Sequence, residues 1–64
     1  MKGVLKFMKN FLFLDESGEH FFVECKTLTE AWGIVWENFG DDVTIRFLGV
    51  YTVEEADILG YDTY

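Results

Sequence analysis

Proline is absent from this 64-residue chain, cysteine and histidine occur once each, and only two basic residues follow Lys9. Each shortage excludes something. A lone thiol, Cys25, cannot close an intramolecular disulfide, so this is not a stapled secreted mini-protein, and a reducing, cytoplasmic setting is expected. Cys25 and His20 together fall short of the four ligands of a structural zinc site. The carboxylates lack calcium-loop spacing and there is no glycine-rich phosphate loop, so neither metal nor cofactor is expected. No apolar run approaches the roughly 20 residues that cross a bilayer, and Lys6 and Lys9 interrupt any signal-peptide core. A soluble, unprocessed protein with no membrane partner follows as the expectation. With no repeat, low-complexity tract or linker-like stretch, residues 1–64 read as a single small acidic domain.

The scarcity of positive charge bears on partners. From Asn10 onward twelve carboxylates face Lys26 and Arg46 alone, and the net charge is −7. Direct nucleic-acid binding needs a basic footprint and is not expected. A protein partner with a basic surface is the better match. Charge of this size also keeps ordinary small domains in solution, where a magnitude of about 2–8 is usual.

What the chain has in quantity is apolar surface. Half its residues are hydrophobic, with seven Phe, three Tyr and two Trp, which excludes intrinsic disorder. A chain this short buries only about 60% of its unfolded surface, so its core works unaided or with an oligomer partner.

The elements read as two strands, a helix, a strand and a short helix. Asp15-Glu16-Ser17-Gly18 suits a type I turn closed by a left-handed Gly18, which pairs Asp15 with Glu19, Phe13 with Phe21 and Phe11 with Val23. Alternation then puts Phe11, Phe13, Phe21, Val23 and Cys25 on one face and Leu12, Leu14, His20, Phe22 and Glu24 on the other. Thr27-Leu28-Thr29-Glu30 fits a capping box and Gly40 a stop. Within that helix Leu28, Ala31, Trp32, Val35 and Phe39 form a stripe. Glu30 and Glu37 point away from it, Trp36 sits on its shoulder and Ile34 well outside. A third strand is expected over 43–48, where Val43, Ile45 and Phe47 alternate with Thr44 and Arg46. Thr52-Val53-Glu54-Glu55 is a second capping box, opening a helix to about Leu59, and 61–64 is a tail. The expected fold is α+β, a three-stranded antiparallel sheet of order 2-1-3 with one main helix on one face and a short C-terminal helix.

Chemistry is sparse. His20 lies near Ser17 and Glu19 on a solvated hairpin, without the desolvated pocket and oxyanion donors of a catalytic triad. Cys25 continues an apolar face, though Lys26 and a nearby helix start leave a reactive thiol as a remote alternative. Two features point to binding. One helix and a short second one cover one sheet face comfortably, which would leave Leu12, Leu14 and Phe22 exposed on the other, the alternative being that the second helix and the 61–64 tail fold over that face. The carboxylates, Glu30, Glu37, Asp41, Asp42, Glu54 and Glu55 among them, could occupy a basic nucleic-acid groove by imitating phosphates. In size and charge the chain is similar to phage and mobile-element proteins that inhibit nucleases in this way, a class analogy with no shared motif.

The function expected is therefore a non-enzymatic protein-interaction module, in its most concrete form an acidic inhibitor or regulator of a nucleic-acid-binding protein. Its candidate contact residues are the six carboxylates just named with Leu12, Leu14, Phe22 and Trp36. The rival is a homodimeric structural protein that buries the far sheet face against its own copy, and a Cys25-dependent redox protein stands third.

Overall fold

The hairpin forms in the register its turn chemistry dictates. β1 (Lys9–Leu14) pairs antiparallel with β2 (His20–Cys25), Phe13 opposite Phe21 and Phe11 opposite Val23. A computed structural model describes residues 8–64. At the turn the Asp15 amide donates to the Glu19 carbonyl at 3.0 Å and the Gly18 amide to the Asp15 carbonyl at 3.1 Å. Gly18 sits at φ +89°, where a side chain is strained. Asp15 fastens the loop further: one carboxylate oxygen accepts from the Ser17 hydroxyl at 2.7 Å, the Ser17 amide at 2.9 Å and the Glu19 amide at 3.0 Å. The Ser17 hydroxyl first, then the Glu19 amide, hold this carboxyl below the usual carboxylate pKa. Gly18→Val is expected to cost about 1–2 kcal/mol, because a β-branched residue resists positive φ. An unchanged urea midpoint would contradict this.

Both helices begin at the threonines their sequence signals mark. α1 (Leu28–Phe39) is capped by the Thr27 hydroxyl, which accepts from the Glu30 amide at 3.2 Å. α2 (Val53–Leu59) carries the full reciprocal box: Thr52 Oγ1 accepts from the Glu55 amide at 3.1 Å, and Glu55 Oε1 accepts from the Thr52 amide at 2.9 Å. Gly40 and Gly60 end the two helices at positive φ.

The sheet corrects the sequence reading in two ways. The third strand, β3, is Arg46–Tyr51 rather than 43–48. It pairs antiparallel with β1, and a bulge between Leu12 and Phe13 leaves Leu48 as its extra residue. A fourth strand, β4 (Asp62–Thr63), adds to the free edge of β2 in parallel, so the sheet is mixed, of order β3-β1-β2-β4. The 2-1-3 arrangement of the first three strands is kept within it. The Tyr64 amide donates to the Phe22 carbonyl at 2.8 Å, which ties the tail beside the hairpin.

Side-chain alternation builds two apolar layers. On one face Phe11, Phe13, Phe21, Val23 and Cys25 pack with Ala31 and Val35 of α1, all buried. Leu28, Trp32, Ile34, Phe39 and Ile45 flank them. Ile34, expected away from the core, therefore packs against it. Ala31 and Val35 are the deepest helix residues, so α1 is turned toward that side, drawing Ile34 in and Trp36 out. On the other face Leu12 and Phe22 are also buried, Phe22 to 0% exposure. Its ring meets Tyr51 and Tyr61, each at 5.8 Å. Burying a side chain of this size contributes about 1.5–3 kcal/mol.

Candidate functional site

The far sheet face is not the exposed apolar patch that the sequence suggested. Leu12 and Phe22 are buried and Leu14 half-buried, because Tyr51, Tyr61 and α2 lie across that face. In the folded chain neither Leu12 nor Phe22 offers a side chain to a partner. Trp36 does: it is 56% exposed and stacks at 6.1 Å on Trp32, which meets Phe13 edge-on at 5.0 Å.

The six candidate carboxylates are all exposed, but they do not converge. Glu30 and Glu37 lie on α1, and Asp41 and Asp42 in the loop that follows it. Glu54 and Glu55 open α2, which packs on the opposite side of the sheet from α1. Glu55 is further committed to its own helix cap. The acidic surface is thus divided between two faces, and one ligand groove does not touch all six.

One end of the molecule is denser in carboxylates than the sequence indicated. Glu16, at the hairpin tip, accepts a hydrogen bond from the Thr44 amide. That bond ties the tip, with Asp15, to the loop carrying Asp41 and Asp42 at the C-terminal end of α1. Asp15 and Glu16 line a small hollow there with Phe39, Val43 and Ile45. Glu37 lies in the same last part of α1, which has no basic residue in its last turn. A helix C-terminus carries partial negative charge, so carboxylates near it are electrostatically unfavourable by about 0.3–1 kcal/mol each. Sequence reasoning missed this grouping, because the contact between Glu16 and Thr44 spans 28 residues.

The remaining polar groups are placed as follows. His20 stacks on Tyr61 at 4.9 Å. Cys25 is 4% exposed, and its thiol donates to the Thr27 carbonyl at 3.2 Å. Burial raises the thiol pKa above its ordinary value, which disfavours the thiolate needed for redox or nucleophilic chemistry. Among the described residues no three His, Cys, Asp or Glu side chains come close enough together to hold a metal ion. No helix among them is long and apolar enough to cross a membrane. An open cleft of about 300 Å³ separates α2 from the sheet, lined by Asn10, Glu24, Val53, Asp57, Tyr61 and Thr63. No protein-family model, curated protein or solved structure matches the chain.

Proposed function

We propose that this chain is a non-enzymatic interaction module that binds a protein partner with a basic surface, most concretely as an inhibitor or regulator of a nucleic-acid-binding protein. The observation that carries the reading is the carboxylate grouping of Glu16, Glu37, Asp41 and Asp42 at the C-terminal end of α1. Glu16 is held there by the Thr44 amide, while the helix dipole works against Glu37, Asp41 and Asp42. Across the described residues twelve carboxylates stand against Lys9, Lys26 and Arg46, a field that would draw a basic partner to the protein. Exposed Trp36, one residue before Glu37, supplies an apolar anchor of the kind interfaces favour.

Combining Glu37→Lys with Asp41→Lys separates function from folding. The double variant is expected to be as stable as the wild type or more so, since it removes charges unfavourable to the helix. It is also expected to lose its partner. The measurement is affinity capture from the native host on immobilised wild-type and variant protein, eluted by a salt gradient. A basic nucleic-acid-binding protein held by the wild type, released by salt and not held by the variant supports the proposal. Capture indifferent to both salt and charge reversal would remove it.

A further inference from the structure

The two edges of the sheet are unequal. One is β4, two residues long; the other is β3, six residues long, and among the described residues no strand lies beyond it in the sheet. An open edge carries a row of backbone donors and acceptors ready to pair, and proteins usually blunt one with lysine, proline or inward-pointing charge. Here Leu48 forms a bulge, but β3 has no proline and no lysine. Its side chains are also incompletely covered. Phe47 and Val50 lie opposite Phe13 and Phe11, hence on the α1 face. α1 packs chiefly over β2, however, and Val50 remains 54% exposed with Phe47 and Leu48 also in solvent.

Charge identifies the occupant. Residues 43–53 contain no carboxylate and one arginine, in a chain that otherwise carries twelve acids. Along this edge two copies can approach without repulsion between carboxylates. We infer that β3 pairs antiparallel with β3 of a second copy, joining two sheets into one of eight strands about a two-fold axis. Centred on β3, that axis sets Arg46 of one copy opposite Tyr51 of the other, beside the first turn of the other's α2. Arg46 pairs with Leu14 and so lies on the far face, the face that α2 covers. Glu54 in that first turn is exposed, while Glu55 is held by its cap. The pairing therefore sets Arg46 against Glu54 twice, and it covers Phe47 and Val50 of both copies on the other face. A two-fold contact of this kind is self-complementary and closes after two subunits.

This inference does not depend on the basic partner proposed above, and it is tested on the purified chain alone. Sedimentation equilibrium is expected to give twice the 7.5 kDa chain mass, with Val50→Lys raising the dissociation constant at least about tenfold. Arg46→Glu weakens the dimer, and adding Glu54→Arg to it restores association. In the wild type, amide exchange in β3 slows as protein concentration rises while exchange in β4 does not, a reading that holds even if a variant fails to fold. A wild type that sediments as a monomer at every concentration overturns the inference. So does a dimer that Val50→Lys leaves intact and Ile58→Lys dissociates, since Ile58 lies on α2 and is 85% exposed.

Discussion

Phe22→Ala is expected to destabilise the protein by about 3–5 kcal/mol, the usual cost of truncating a fully buried aromatic ring. Phe22 has no exposed surface, and its ring is held between Tyr51 at the end of β3 and Tyr61 after α2. Removing it leaves a cavity in the layer that joins those two segments to the hairpin. Domains of this kind have only about 5–15 kcal/mol in total, so a substantial unfolded fraction should appear under mild denaturant. The check is the urea midpoint followed by near-ultraviolet circular dichroism. A loss under about 0.5 kcal/mol, the value typical of surface substitutions, would mean that the far face is solvent-exposed after all.

Removing residues 61–64 is expected to cost roughly 3 kcal/mol or more. The segment donates and accepts backbone hydrogen bonds alongside β2, from the Tyr64 amide to Phe22 and from the Glu24 amide to Tyr64, each worth about 1 kcal/mol net. Tyr64 also meets Phe21 and Phe39 edge-on, both at 5.2 Å, and Tyr61 stacks on His20. Such aromatic pairs add about 0.5–1.5 kcal/mol each beyond their buried area. The loss should fall on β2 first, as faster amide exchange at Phe22 and Glu24 than at Phe11 and Phe13. Unaltered exchange in β2 would show that β4 is a passive extension.

Local chemistry made part of this structure legible in the sequence. The Asp15–Gly18 turn fixes its own register, and the two threonine caps announce both helices, because each signal lies within four residues of what it specifies. The third strand was misplaced by three residues for a definable reason. Val43 and Ile45 alternate like a strand, yet Ile45 serves as a partly buried plug beside the core. The true strand runs on through Gly49 to Tyr51, past the expected end at Leu48. Opposite Leu12 that glycine is comfortable, and a Cβ there would only touch the Tyr51 ring at 3.6 Å.

What could not be read was tertiary. A two-residue strand such as β4 has no periodicity to detect and exists only because β2 offers an edge. The cover over Phe22 has the same origin, since nothing in 51–61 marks Tyr51 and Tyr61 as its neighbours. The candidate site was partly legible: the acidity and the exposure of Trp36 follow from sequence pattern, while the division of carboxylates between two faces follows from where α2 docks.

The pairing of β4 with β2 has a kinetic consequence. Phe22 and Thr63 are partners in the ladder yet lie 41 positions apart, and α1, β3 and α2 all intervene. Contacts this distant form late, because the chain must be ordered on either side before closing the loop yields any gain. On refolding, the hairpin and α1, whose contacts are more local, can assemble first, with Phe22 bare on the opposite side. The second apolar layer stays open until β3, α2 and β4 have docked on the hairpin. In that interval the unfinished sheet exposes both an apolar face and the unpaired edge of β2, and this is when the chain is most prone to aggregate with its neighbours.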